Sequence, residues 1–350
     1  MNLSHADLHA LVTPVLERYG LRATEISVLA GGLINFTLRV ETTAQAVLVL
    51  QRLHPVFEAA VNDNLDLVTR ALRARGAIAP SLVRTLDGNS AVTLDTAVWR
   101  LQTFMPGHSV QQLSATSQAH AAGDLLGRFH ATLADWTVPL PHVRPPVHEP
   151  ARHLAALSAA LAAHPGHRLA AEVRAIADQI LSRLSQLPAW PAQPLRLLHG
   201  DPKISNLLFD AEGRGLCLVD LDTLAQGPLV PELGDAFRSW CNPGPEDAPQ
   251  ADFSLDLFAA AIEGYAASTR GFITRAEWQG IVTGTETIYL ELAARFAADA
   301  LNEAYFGWSP DRFATRGAHN LARARNQLAA GQALARQASA ANAMVAAQFS

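Results

Sequence analysis

The chain has 350 residues, of which 49% are hydrophobic, and it carries a formal net charge of −5. A chain of this length can bury a large core and can form two domains. The acidic balance gives no indication of a nucleic-acid partner or of an anionic membrane surface. Only two cysteines occur, Cys217 and Cys241, which argues against a disulfide framework and for a reducing compartment.

The ends and apolar runs of the chain carry no sign of export or membrane insertion. The N-terminus lacks the basic head and apolar centre of a signal peptide. No uninterrupted apolar run approaches the ~20 residues that a spanning helix needs. We therefore expect a cytoplasmic protein without a membrane partner.

The first hundred residues are rich in predicted strands. A helix over 3–19 is predicted first, because Leu8, Leu11, Val15 and Leu16 recur at helical spacing and Gly20 ends the pattern. Apolar runs bounded by turn residues then predict the following elements: strands over 25–29, 36–40, 46–50, 81–85, 91–94 and 97–103, and a helix over 57–75.

A glycine pair interrupts the first two of these strands. Gly31 and Gly32 precede Asn35, and such a strand–turn–strand segment exposes backbone N–H groups without a Cβ in the way. The segment is a candidate phosphate-covering hairpin. A Gly-Gly pair between strands is more often a simple turn, so the motif alone does not decide between the two.

The third strand ends in Gln51 and Arg52, where protein kinases place a phosphate-binding lysine. The only lysine of the chain is Lys203. Either Arg52 supplies the missing positive charge or the site functions without it. A surface arginine at the end of a strand is an equally good interpretation.

Strand patterns almost vanish after residue 105, where we place the boundary between a β-rich part (1–105) and a helical part (106–350). The helical part has a proline-rich loop over 139–150. Its predicted helices cover 114–136, 151–163, 167–187, 252–268, 274–301 and 316–347.

The chemistry-bearing residues lie between two apolar runs of the second part. His199-Gly200-Asp201 follows the first run, Asn206 stands five positions after Asp201, and Asp220 ends the next run. Kinase catalytic loops use the same order: an Asp that accepts the substrate hydroxyl proton, an Asn five residues on and a later metal-binding Asp. Carboxylate and amide oxygens at facing strand ends also suit Mg²⁺.

Three neighbouring residues have less certain roles. Asp222 shares a side of the strand with Asp220 and is either a second metal ligand or a brace for the loop. Asp235 is a candidate helix cap or brace. His199 is predicted to pack and to hydrogen-bond backbone rather than to act as the base, because the loop aims Asp201 at the substrate.

At these residues the chain resembles the aminoglycoside phosphotransferase and choline kinase superfamily, and within it the N-acetylhexosamine 1-kinase branch. The resemblance runs across nearly the whole chain. It is carried by the following segments: 31–35, 48–54, 199–210, 219–223, 233–238, 295–301, 305–306 and 319–328.

The resemblance implies an α+β, bilobal protein-kinase-like fold with a small β-rich nucleotide-binding lobe and a larger helical lobe. It implies ATP and Mg²⁺ as cofactors and phosphorylation of the anomeric hydroxyl of an N-acetylhexosamine. It implies Asp201 as the base and Asn206 and Asp220 as metal ligands, and Asp222 is a further candidate ligand. The candidate nucleotide contacts are Gly31, Gly32, Asn35 and Arg52. The candidate sugar contacts are Arg295 and Tyr305, with Arg238 behind them.

Two other functions remain open. The same fold could phosphorylate an aminoglycoside, choline or homoserine, although cationic acceptors usually need an acidic pocket and the acids of the helical part are scattered. The missing lysine also suggests a nucleotide-binding regulator without catalysis, which the intact Asp201, Asn206 and Asp220 argue against.

Overall fold

The structure is a computed structural model that describes residues 4–29 and 35–350. Its N-terminal part is built on one antiparallel sheet. The elements of this part are α1 (His5–Glu17), β1 (Ala23–Val28), β2 (Phe36–Thr42), β3 (Val47–Arg52), α2 (Val61–Ala74), β4 (Leu82–Val83), β5 (Val92–Leu94) and β6 (Ala97–Thr103).

The strand order of this sheet is β1-β2-β3-β6-β4, and β5 pairs with the first residues of β6, Ala97 to Trp99. One face of the sheet packs on α1, where Leu16, Leu38, Leu50 and Leu101 are all buried. Because side chains alternate along a strand, the odd-numbered residues of β3 lie on the opposite face. That face is turned towards the helical part.

The second part is mostly helical and carries two short hairpin-like sheets. Its elements are α3 (Thr116–Thr132), α4 (Pro150–Ala163), α5 (Ala170–Leu184), β7 (Arg196–Leu198), β8 (Leu207–Phe209), β9 (Gly215–Leu218), β10 (Ala225–Gly227), α6 (Leu229–Trp240), α7 (Leu255–Thr269), α8 (Arg275–Gln279), α9 (Ile281–Asn302) and α10 (Arg316–Phe349).

Helix α9 is almost entirely buried and packs on α4, α5, α6 and α10. Helices α3 and α7 approach each other so closely that only glycine fits at two crossing positions. A Cβ on Gly123 would lie 2.0 Å from the Ala261 carbonyl oxygen, and one on Gly264 would lie 2.1 Å from the His120 carbonyl oxygen. The helices therefore form a rigid base beneath the short strands.

The predicted fold class is confirmed: a small antiparallel sheet is followed by a mainly helical part. Helix α6 begins directly after Pro228 and tolerates Pro231, because Pro231 falls in the first helical turn, where its missing N–H has no helical partner to lose. The helix expected over 274–301 is broken at Gly280. The sheet ends at Thr103, and a domain boundary at residue 105 stays a prediction.

Among the helices of residues 4–29 and 35–350, none is both long and apolar enough to cross a membrane. Cys217 and Cys241 are both buried and unpaired.

Candidate active site

The loop that follows β7 is held from below by a buried glutamate of α6. Glu232 accepts hydrogen bonds from the N–H groups of His199 (2.8 Å) and Gly200 (2.9 Å). Gly200 has φ +84°, and a Cβ there would lie 2.2 Å from the Thr223 carbonyl oxygen. This close approach explains why glycine stands where protein kinases have arginine.

His199 is fully buried and links the loop to the strand that precedes Asp220. Its Nδ1 accepts from the Asp201 N–H at 3.3 Å, and its Nε2 lies 2.9 Å from the Val219 carbonyl oxygen. Because Nδ1 is an acceptor, the proton resides on Nε2 and is donated to Val219. The prediction that His199 braces the loop is confirmed.

Asp201 is partly exposed, and one of its carboxylate oxygens is already engaged. Oδ2 accepts from Lys203 Nζ at 2.5 Å and from Asn206 Nδ2 at 3.2 Å. Oδ1 accepts no hydrogen bond from the residues that the structure describes. Asp201 is therefore oriented through Oδ2 while Oδ1 remains free to accept a proton.

Lys203 lies between two carboxylates in this loop. Burial by itself would lower its pKa, but the carboxylates of Asp201 and Asp220 outweigh that effect and raise the pKa of Lys203. The ammonium group therefore stays charged at the edge of the cleft.

Asp220 stands beside Asn206 because the hairpin of β8 and β9 joins them. The Val219 N–H donates to the Asn206 carbonyl oxygen at 2.9 Å. Asp220 itself adopts a left-handed backbone conformation, with φ 62° and ψ 51°. Burial and the nearby Asp222 carboxylate raise the pKa of Asp220 to about 6.

The arrangement of Asn206 and Asp220 fits a magnesium ion held largely by substrate. Asn206 donates its side-chain Nδ2 to Asp201, so its side-chain oxygen Oδ1 is left for a cation. Asp220 is partly exposed, and its carboxylate accepts no hydrogen bond from residues 4–29 and 35–350. No group of three or more His, Cys, Asp or Glu side chains suited to a metal occurs in residues 4–29 and 35–350. Mg²⁺ commonly takes only one or two protein carboxylates and completes its shell with phosphate and water.

Asp222 is used differently from Asp220 although it is only two residues away. It is fully buried, it is ion-paired with Arg100 of β6, and it accepts from Asn35 Nδ2 at 2.7 Å. Asn35 also accepts from the His54 N–H at 2.9 Å. Asp222 braces the loop against the sheet in this structure, and metal ligation by Asp222 stays a prediction.

A cleft of about 270 Å³ separates the sheet from these loops. Lys203, Asn206 and Asp220 are among its polar lining residues. Its apolar lining consists of Leu29, Val49, Pro80, Phe104, Met105, Leu208 and Val219. The cleft therefore offers both charged groups and apolar surface against which a flat ring could pack.

The predicted nucleotide-contacting residues fall into three groups. Gly31 and Gly32 lie outside the described residues. Asn35 lines the cleft. Arg52 is exposed at the end of β3, whereas Gln51 before it faces the cleft, because successive residues of a strand point to opposite faces. A nucleotide contact by Arg52 stays a prediction that this geometry does not support.

Two of the predicted acceptor residues meet on one aromatic ring. The guanidinium of Arg295 lies 5.7 Å from the ring centre of Phe306, and Tyr305 packs edge-on against the same ring. Asp299 holds this turn by accepting from the N–H groups of Tyr305 and Phe306, each at 2.8 Å. Arg238, in contrast, is buried in α6 and binds the Asp235 carboxylate, so its guanidinium is not open to solvent.

Buried charged groups of α6 and α9 meet at His148. His148 Nδ1 lies 3.0 Å from Glu291 Oε1, and His148 Nε2 lies 3.8 Å from Asp235 Oδ2. Asp235 in turn contributes to the raised pKa of Lys203. Burial would lower the pKa of His148, but Asp235 and Glu291 outweigh it and raise that pKa to about 9.

We expect His148→Gln to destabilise the protein most at low pH. Protonated His148 stabilises the fold fully below its unfolded pKa of about 6.5, and this contribution disappears as the pH rises through its folded pKa of about 9. The upper limit is about 3 kcal/mol. Urea unfolding at pH 6, 7.5 and 9.5 measures the effect, with His5→Gln, an exposed substitution, as the control. A pH-independent difference would contradict this assignment.

Three important residues are absent from the sequence-based predictions. Lys203 could have been found, because it is the only lysine and stands two positions after Asp201. Arg100 interrupts an apolar strand, which is a weaker sign. For Glu232 nothing in its local sequence indicates that it holds a loop 32 and 33 residues away.

The fold is kinase-like, with a small sheet, a helical base and a cleft between them. The charged and amide groups that line this cleft are those of a phosphotransferase. The family model described as the phosphotransferase enzyme family matches residues 25–270, and the chain belongs to this family. It is therefore an enzyme that transfers a phosphoryl group to an alcohol. The resemblance to the superfamily is confirmed, and the N-acetylhexosamine branch stays a prediction.

Solved structures of similar fold include two kinases with 16% sequence identity and a TM-score of 0.65. The amicoumacin kinase hAmiN, in complex with AMP-PNP, Ca²⁺ and Ami, is matched over 92% of this chain and 93% of that chain. The microcompartment-associated aminopropanol kinase is matched over 95% and 98%. A choline/ethanolamine kinase family protein from Mesorhizobium loti has 16% identity, a TM-score of 0.57 and 92% coverage of both chains. At this identity the likeness shows the fold.

Proposed function

We propose that the protein is an ATP- and Mg²⁺-dependent kinase that phosphorylates the anomeric hydroxyl of an N-acetylhexosamine or a related sugar. The observation that carries the phosphotransfer part is that Lys203, Asn206 and Asp220 line the cleft and that Lys203 and Asn206 both bind Asp201. Phosphoryl transfer requires mainly positioning and charge neutralisation, and these four groups supply both.

The proposed roles follow from the contacts. Asp201 Oδ1 accepts the proton of the acceptor hydroxyl, while Oδ2 stays fixed by Lys203 and Asn206. Lys203 places a positive charge where negative charge develops on the transferred phosphoryl group. Asn206 and Asp220 would hold Mg²⁺, which would neutralise negative charge on the phosphates.

The nucleotide would lie in the cleft with its base packed against the apolar lining residues. The Met105 N–H has no hydrogen-bond acceptor in the described structure, and Pro106 has no N–H. Met105 thus offers one free donor to the edge of a purine ring. The similarly folded kinase hAmiN is complexed with an ATP analogue, which supports ATP as the phosphoryl donor.

The choice of a neutral sugar rests on charge balance and on the resemblance at Arg295 and Tyr305. The buried carboxylates of Asp235 and Glu291 are already opposed by Arg238 and His148. A cationic acceptor would need a carboxylate that is both exposed and uncompensated. We propose no nucleic-acid and no membrane partner.

An amino alcohol is the second candidate acceptor, because the similarly folded proteins include an aminopropanol kinase and a choline/ethanolamine kinase family protein. An inactive regulator is the third candidate. The presence of Asp201, Lys203, Asn206 and Asp220 in one arrangement disfavours an inactive regulator.

A panel of acceptors decides among these functions. ADP release would be measured with ATP and Mg²⁺ for N-acetylglucosamine, N-acetylgalactosamine, aminopropanol, choline, homoserine and an aminoglycoside. We expect the highest kcat/KM with an N-acetylhexosamine, and phosphorus–proton coupling in the product would locate the phosphate on the anomeric carbon. A higher value for an amino alcohol would replace the sugar, and nucleotide binding without any turnover would favour the regulator.

A further inference from the structure

One fully buried cation lies on the cleft side of the sheet, at Arg100. It is opposite Gln51 in the register of β3 and β6. Its side chain is 1% exposed and lies between Trp99 and Leu101, which point to the α1 side. An arginine is rarely so deeply buried unless it is paired.

The partners of Arg100 come from three different segments. Its guanidinium binds both carboxylate oxygens of Asp222, with NH2 3.1 Å from Oδ2. Nε and NH2 donate to Gln51 Oε1 at 2.9 and 2.7 Å. NH1 lies 3.4 Å from Asn62 Oδ1 on α2, and Asn35 supplies a further donor to Asp222. The pair thus joins the sheet to the loop that contains Asp220 and Asp222, which we call the metal loop, across 122 positions of sequence.

Stability alone does not account for this pair. A buried ion pair commonly contributes no more to stability than two well-packed apolar residues, because both charges lose their hydration. What the pair does specify is register: a bidentate fork fixes distance and orientation together. Here it fixes how the sheet stands relative to the loop that contains Asp220.

That loop has a conformation that needs external support. Asp220 is non-glycine at φ 62°, a region that L-residues rarely adopt and that persists where neighbours enforce it. Asp222, two residues later, is held by Arg100 through its carboxylate and by Arg144, which donates to its carbonyl oxygen at 2.5 Å. The loop is thereby held immediately after Asp220.

We propose that Arg100 is a positioning residue: through Asp222 it holds Asp220 at the cleft and couples the sheet to the metal loop. Protein kinases achieve a comparable coupling with a strand lysine paired to a helix glutamate. Here the corresponding strand position is Gln51, and the contact on α2 is an amide, Asn62. The kinetic part of this inference rests on the proposed function, and its structural part does not.

The test uses the double variant Arg100→Met/Asp222→Leu, which removes both charges and leaves apolar groups of similar reach. Arg100→Met alone retains Asp222 and separates positioning from direct metal ligation by that carboxylate. The control is Arg183→Met/Glu286→Leu, because Arg183 also binds Glu286 through two nitrogens but joins α5 to α9 away from the cleft.

The first readout is hydrogen exchange of the amides of residues 219–223 in the protein without ligand. We expect at least a ~10-fold increase in exchange in the double variant and none in the control, since the brace lost is local. The second is binding of an ATP analogue by calorimetry with and without Mg²⁺. We expect the Mg²⁺-dependent part of the affinity to fall by about 10-fold in both Arg100 variants.

The third readout is kcat with the best acceptor, which we expect to fall about 100-fold for a misplaced metal loop. Unchanged exchange and unchanged Mg²⁺-dependent binding in the double variant would overturn the inference. If Arg100→Met kept parent affinity and only the double variant lost it, Asp222 would be a ligand rather than a brace. Because exchange and binding need no turnover, they decide the question even if every acceptor fails.

Discussion

Asp201→Asn should lower kcat by about 10²–10⁴-fold while leaving nucleotide affinity close to that of the parent, the range typical for loss of a positioned general base. Asparagine has the same shape and can still accept from Lys203 and Asn206 through its amide oxygen. It cannot take up the proton of the acceptor hydroxyl. The effect is therefore expected on the chemical step rather than on folding.

The matched control is Asp210→Asn, the same substitution nine residues further along. Asp210 closes the turn after β8, where it accepts from the Arg214 N–H and its guanidinium. We expect parent-like kcat for this variant. Steady-state rates with the best acceptor, together with calorimetric nucleotide binding, measure both. A rate for Asp201→Asn equal to that of the parent would show that another group is the base.

Lys203→Met should lower kcat by about 10²–10³-fold, as expected for loss of one preorganised group that stabilises developing negative charge. It leaves Asp201 Oδ2 with only the Asn206 amide and removes a cation that offsets the negative charge of Asp220. Lys203→Arg keeps the charge on a differently shaped head group, so we expect an intermediate rate. Equal rates for parent and Lys203→Met would show that Lys203 has no role in catalysis.

The same lysine permits a second, independent test because it is the only one in the chain. Because the raised pKa of Lys203 keeps its amine protonated, acetylation of Lys203 should be slow. Where mass spectrometry finds it, the modification should inactivate the enzyme, and an ATP analogue with Mg²⁺ should slow it further. Acetylation of the N-terminal amine serves as the internal reference, since it should be insensitive to the nucleotide. Equal protection of both amines would mean that Lys203 does not face the bound phosphates.

Several features of the fold could be predicted because they depend on short stretches of chain. The alternating pattern of β2 and β3 and the apolar run of β6 predict their strands correctly, and the helical periodicity of 3–19 predicts α1. A prediction was wrong where the local signal was ambiguous. The helix expected over 274–301 is broken at Gly280, because a single glycine inside a helical pattern does not by itself mark an end.

The sequence by itself determined the order Asp201, Asn206 and Asp220, since one loop and one hairpin bring these residues close together along the chain. Only the tertiary structure shows what Asp222 contacts. It alternates with Asp220 along the chain, which left a second ligand and a brace equally open, and its carboxylate binds Arg100, 122 positions away. Contacts of that separation depend on how the sheet packs against the loops, which no local pattern encodes. The cation missing from β3 was likewise found in two distant places: Arg100 behind the metal loop, and Lys203 beside Asp201.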